Sequence, residues 1–123
     1  MKKRILIIDD EEDIRQVAAL SLEAVAGWDV VTASNGARGI ERAADEQPDA
    51  ILVDVMMPEL DGPATVGLLR RDPRTAHIPV MLLTAKVQRP DQRNFAALGV
   101  RAVLFKPFDP LTLSNQIADI LGW

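Results

Sequence analysis

The sequence has 123 residues, 48% hydrophobic and 26% charged, which suits one globular domain with its own core and is too short for two. A net charge of −4 disfavours binding to nucleic acid or to an anionic membrane surface. The absence of cysteine excludes disulfides, thiol nucleophiles and zinc–thiolate sites.

Met1-Lys-Lys-Arg4 has the charge of a signal n-region, but only Ile5 to Ile8 follow before the acids. That is far short of an apolar stretch of about 7–15 residues for secretion or about 20 for a membrane span. A soluble, cytoplasmic protein is expected, with no membrane insertion.

The first predicted strand, Arg4-Ile-Leu-Ile-Ile8, runs straight into five consecutive carboxylates, Asp9 to Asp13. A helix over Glu12 to Val25 follows, with Ile14, Val17, Ala18, Ser21 and Val25 on one face. Next come a strand at Asp29-Val-Val-Thr-Ala33 and a short helix at Gly36 to Glu46. Ala50-Ile-Leu-Val53 is the third strand and ends at Asp54. Asp61-Gly62 reads as a turn, and Pro63 to Arg71 as a helix whose Arg70-Arg71 suits a C-terminus. Pro79-Val-Met-Leu-Leu-Thr84 is the fourth strand. Asp91 to Leu98 reads as a helix, with Gly99 where a left-handed residue is wanted. Ala102-Val-Leu-Phe105 is the fifth strand. Asp109-Pro110 reads as N-cap and first-turn proline of a helix running to Leu121, with Leu113, Ile117, Ile120 and Leu121 as its stripe.

Near-continuous apolarity without alternation fits strands covered on both faces. With alternating helices and right-handed crossovers, this predicts a doubly wound α/β fold. It is a five-stranded parallel sheet with helices on both faces, flavodoxin-like. A single stand-alone domain over residues 1–123 is expected, with no linker or repeat.

In such sheets functional groups gather beyond the carboxyl ends of the strands. Those ends are Asp9-Asp10, Asp54, Thr84 and Lys106. If the first and third strands are neighbours, three carboxylates converge, and each like-charged pair costs about 4 kcal/mol at about 4 Å. A basic side chain or a bound cation must offset that cost. An oxygen-only donor set suits Mg²⁺, and Lys106 is the basic partner available. Glu11, Glu12 and Asp13 sit where the next helix begins, where its dipole favours carboxylates. Met56 and Met57 read as loop and core methionines, and His77 as a surface loop residue. Trp28 and Trp123 remain open as packing or contact residues.

Four segments together resemble the receiver domain of two-component response regulators over essentially the whole chain. They are Ile7-Ile-Asp-Asp-Glu11, Asp54-Val-Met-Met-Pro-Glu-Leu-Asp-Gly62, Pro79-Val-Met-Leu-Leu-Thr-Ala85 and Lys106-Pro107-Phe108. The resemblance implies that Asp54 accepts a phosphoryl group from a histidine kinase or histidine phosphotransfer protein. It further implies that Asp9, Asp10, Asp54 and the main-chain carbonyl of Met56 hold Mg²⁺. Thr84, Ala85 and Lys106 would contact the phosphoryl oxygens, and the peptide bond before Pro107 would be cis. A phosphorylation-dependent dimer and an unspecified downstream protein partner are also implied. The family often carries an aromatic residue three positions before the lysine. Here that position is Val103, and the chain has no tyrosine. The signal is then expected to pass through the backbone around Thr84.

Three other readings compete. A flavodoxin-like cofactor binder needs a Gly- or Ser/Thr-rich phosphate loop after the first strand, where this chain has acids that repel phosphate. An aspartyl-phosphate hydrolase resembles Asp-x-Asp there, from which Asp9-Asp10-Glu11-Glu12 departs. A receiver-like scaffold that signals without phosphorylation would not need the full set of Asp9, Asp10, Asp54, Thr84 and Lys106. A signalling module rather than a metabolic enzyme is expected.

Overall fold

The structure, a computed structural model, describes residues 2–85 and 97–123. Five strands, β1 (Arg4–Ile8), β2 (Asp29–Ala33), β3 (Ala50–Asp54), β4 (Val80–Thr84) and β5 (Ala102–Phe105), form one sheet in the order β2-β1-β3-β4-β5. All neighbouring pairs are parallel. The helices among the described residues are α1 (Glu12–Ala26), α2 (Gly36–Glu46), α3 (Gly62–Arg71) and α4 (Leu113–Leu121). The expected helix over Asp91 to Leu98 lies outside the described residues except for its last two.

The helices divide the core into two layers. On one side Leu6, Ile8, Ile51, Val53, Val80 and Leu82 pack with Ala43 of α2 and Val66 and Leu69 of α3. On the other, Ile5, Ile7, Leu52, Met81 and Leu83 pack with Ala18 and Leu22 of α1 and Leu113 and Ile117 of α4. Both faces of β1, β3 and β4 are therefore covered, which is why these strands read as unbroken apolar runs. Burying each such side chain contributes about 1.5–3 kcal/mol. A sheet held this firmly fixes where its strand ends point.

Local signals set the boundaries. Asn35 accepts from the Arg38 N–H at 2.8 Å and opens α2. Asp61 accepts from the Ala64 N–H at 2.9 Å and opens α3, so Asp61-Gly62 begins a helix instead of forming a separate turn. Gly27, at φ 70°, closes α1. Asp109-Pro110 does not open α4 as expected. The Asp109 carboxylate accepts from Leu111 N–H and its carbonyl from Thr112 and Leu113, making a turn before Thr112, the residue that starts the helix. The Pro110 carbonyl instead accepts the Ser21 hydroxyl, tying that turn to α1. The buried face of α1 also differs from the expected one. It is centred on Ala18, Ser21 and Leu22, whereas Val17 and Val25 are exposed. No helix among the described residues is long and apolar enough to cross a membrane.

Candidate functional site

Strand register assembles the site. Ile8 pairs with Val53, so the next residues, Asp9 and Asp54, stand side by side at the ends of β1 and β3. Asp54 pairs with Leu83 and Thr84 with Phe105, which places Thr84 and then Lys106 along the same rim. The order reversal between β1 and β3 opens the crevice at which such sheets bind ligands.

Asp9 is fully buried and Asp54 is 3% exposed. Lys106 reaches across from the end of β5 to lie 3.0 Å from Asp9 Oδ2, 3.3 Å from Asp54 Oδ1 and 3.7 Å from Glu11 Oε1. The Lys106–Pro107 peptide bond is cis, as the resemblance implies. Thr84 is buried at the end of β4, and its carbonyl accepts the Lys106 N–H at 2.8 Å. Ala85, one residue on, is exposed, and Asp10 is exposed beside Asp9. Val103 is half-buried on β5 and packs into the layer beneath α2 and α3.

One ammonium serves too many carboxylates. Burial, and after it the charge of Asp9, push the Asp54 carboxyl up to about 6, with Lys106 opposing them only in part. Burial works to lower the Lys106 ammonium, but Asp9 and Asp54 outweigh it and raise the group above its ordinary value. Among the described residues, buried Asp54 Oδ2 accepts no hydrogen bond, and Asp9 Oδ2 meets the ammonium as an ion pair, again without one. Asp9, Asp10, Glu11 and Asp54 bring carboxylate oxygens within 4.8 Å of one another. Unsatisfied buried oxygens and an all-oxygen donor set fit a hard divalent cation. The residues present suit Mg²⁺.

Two contributors were not legible in the sequence. Glu11 occupies the N-cap position of α1 without capping it; its side chain joins the acidic cluster facing Lys106. Glu12 and Asp13 do occupy the first turn as expected. Arg15 donates from Nη1 to the Asp9 carbonyl at 2.7 Å, fixing the backbone beneath the cluster. A third position, Gly62, packs against the Asp54 backbone so closely that a Cβ would fall 2.5 Å from its carbonyl oxygen. The sole sequence signal was an Asp-Gly pair shortly after Asp54. Met56 is exposed at the start of the β3–α3 loop, while Met57 is buried.

Comparison with known proteins agrees with this geometry. The family model described as the response regulator receiver domain matches residues 5–118. The DNA-binding dual master transcriptional regulator RpaA of Synechocystis sp. is 45% identical over 96% of this chain and 48% of its own length. This chain spans about half the length of the curated relatives it matches. Chemotaxis protein CheY4 of Vibrio cholerae superposes with a TM-score of 0.91 at 29% identity, covering 98% of this chain and 99% of that one. The receiver domain of sensor histidine kinase PA1611 from Pseudomonas aeruginosa, solved with a magnesium ion coordinated in its active site cleft, superposes with a TM-score of 0.87. It is 26% identical, with each chain covered in full. The chain belongs to the response regulator receiver domain family, the signalling module of two-component systems.

Proposed function

We propose that this receiver takes a phosphoryl group onto Asp54 from the phosphohistidine of a histidine kinase or histidine phosphotransfer protein. The observation that carries the reading is the state of Asp54. It is buried at a strand end, with Oδ1 facing the Lys106 ammonium and Oδ2 without a hydrogen bond among the described residues. At neutral pH a carboxyl titrating at about 6 is still mostly ionised, and the ionised form is the nucleophile. An Asp54 oxygen attacks phosphorus, the P–N bond breaks, and the imidazole leaves with the electron pair.

Asp9, Asp10, Asp54 and the Met56 main-chain carbonyl are the donors for Mg²⁺, which supplies the charge neutralisation that a carboxylate and an incoming phosphoryl group require. Lys106 supplies a second positive charge, and catalysis is otherwise positioning. The Thr84 hydroxyl and the Ala85 main chain take up the new oxygens, and the backbone after β4 follows them. That is a local electrostatic change biasing a two-state element. Val103 gives this switch an aliphatic side chain where the family often has a ring, so the backbone carries the signal to protein partners, a phosphorylation-dependent dimer among them. The chain acts as a cytoplasmic signalling module that promotes its own phosphorylation and dephosphorylation.

Acetyl phosphate and Mg²⁺ test the assignment. Intact mass should rise by one phosphoryl group in the wild type and stay unchanged in Asp54→Ala. Equal labelling of the variant would place the nucleophile elsewhere.

A further inference from the structure

Next to the acidic cluster, at the β2 edge of the sheet, lies a recess of the opposite sign. It has a volume of about 370 Å³ and is lined by Arg15, Thr32, Ala33, Ser34, Arg38 and Arg42. Among the described residues no carboxylate lines it, although the chain carries 18 Asp and Glu against 14 Lys and Arg. Three arginines line this one cleft, and like charges on one lining repel as the carboxylates do, a repulsion that an anion relieves.

The arginines are poorly satisfied by the protein itself. Arg42 Nε is buried and has no hydrogen-bond partner among the described residues, and the group's ion pair with Glu46 is long, at 4.0 Å. The Arg38 guanidinium forms no hydrogen bond or ion pair among the described residues. Arg15 uses one nitrogen on the Asp9 carbonyl. Thr32 and Ser34 add hydroxyls, and among the described residues no aromatic ring lines the recess to stack a base. Planar guanidinium forks match phosphoryl oxygens in bidentate fashion.

We propose that this recess binds a compact polyanion bearing phosphoryl groups, held by Arg15, Arg38 and Arg42 with Thr32 and Ser34. The bound anion also touches the acidic cluster through the backbone. Asp9 N–H donates to the Ala33 carbonyl at 3.1 Å, and the Asp9 carbonyl accepts from Arg15 at 2.7 Å. An anion that draws on Arg15 and seats against Ala33 therefore acts on both sides of Asp9.

Amide NMR titration with pyrophosphate, without Mg²⁺ and at low ionic strength, tests this. Saturable shifts are expected at Thr32, Ala33 and Ser34, with a smaller one at Asp9. Arg38→Gln, at an exposed position, and Arg42→Gln, at a half-buried one, should each weaken binding by about tenfold while leaving the rest of the spectrum in place. ATP at equal affinity supports a free phosphoryl chain as the ligand; tighter ATP binding with added shifts beyond the recess supports a nucleotide source. The proposal is overturned if sulfate at matched ionic strength gives the same shifts, or if both arginine variants bind as the wild type does. Shifts centred on Asp54, Thr84 and Lys106 would place the anion at the acidic cluster and overturn it as well.

Discussion

Asp54 and Lys106 meet at 3.3 Å although they come from strands separated by β4, and the same ammonium lies 3.0 Å from Asp9. Lys106 therefore acts as the shared counterion of two buried carboxylates. Taking one partner from a buried ion pair typically costs about 3–5 kcal/mol, because a charge is left uncompensated. Protonation of Asp54 can relieve part of that strain. Lys106→Met should accordingly lower stability by about 3 kcal/mol at pH 7 in urea denaturation without Mg²⁺. A loss below about 1 kcal/mol, typical of an exposed pair, would mean the carboxylates are neutralised by another route.

Asp54 also predicts an unusual pH dependence. Most carboxylates are held low in a folded protein, but here burial and Asp9 raise the group to about 6. The folded state then holds this proton more tightly than the unfolded chain, whose value is about 3.9. As pH rises from about 4 to 6 the unfolded chain gives up the proton first, so this group's contribution to stability falls. The full effect is on the order of 3 kcal/mol. Without Mg²⁺, the wild type should gain stability relative to Asp54→Asn as pH drops from 7 to 4.5, and saturating Mg²⁺ should flatten the difference by favouring the ionised form. Melting curves of both proteins across that range provide the check. A difference running the other way would show that the carboxyl is not raised.

The strands were legible because their residues say the same thing locally and globally. Arg4–Ile8, Asp29–Ala33 and Ala102–Phe105 have the expected bounds, being β-branched or apolar runs bounded by polar or small residues. The residues gathered at the rim were legible too, since a parallel sheet directs its strand ends to one edge. What periodicity could not fix was rotation: Val17 and Val25 fit the apolar stripe of α1 as well as Leu22 does, yet the sheet takes Leu22. Nor could it show side chains reaching across register, such as Glu11 toward Lys106 and Arg15 onto the Asp9 carbonyl. The Trp28 and Trp123 rings, distant in sequence, meet edge to face at 5.3 Å, with Lys3 over Trp123. Only the fold brings them together.

Gly62 gives a steric prediction. A Cβ there would sit 2.5 Å from the Asp54 carbonyl oxygen and 2.8 Å from the Val55 Cα, both of them backbone atoms that cannot rotate away. The Gly62 N–H also donates to the Val55 carbonyl at 3.0 Å. Gly62→Ala should cost about 2 kcal/mol through forced backbone movement and slow phosphorylation by displacing Asp54. Gly67, further along the same helix, has no described residue within 4 Å of where its Cβ would stand. There the alanine should stabilise by about 0.5–1 kcal/mol, since glycine is costly inside a helix. Parallel denaturation and acetyl-phosphate labelling separate the two effects. Equal behaviour of the two variants would refute the close contact.

The lifetime of the phosphoryl group proposed on Asp54 should depend on Met56. This residue lies two positions past Asp54 and is 63% exposed, bordering a shallow recess with Val55, Met57, Pro58, Asp61 and Pro63. Lys86, the corresponding position after Thr84, lies outside the described residues. Hydrolysis of an acyl phosphate needs a water approaching phosphorus in line with the Asp54 oxygen. A thioether is a weak acceptor and no donor, and so gives that water nothing to hold it in line. A carboxamide in its place both donates and accepts, and can orient the water. Met56→Asn should therefore shorten the phosphoryl lifetime by about threefold to tenfold, which corresponds to about 0.7–1.4 kcal/mol in the barrier. Affinity for Mg²⁺ should change little, because the donor proposed at this position is the main-chain carbonyl. Decay after removal of acetyl phosphate, followed by intact mass, measures the lifetime directly. If wild type and variant decay at the same rate, Met56 does not govern access of water to the site.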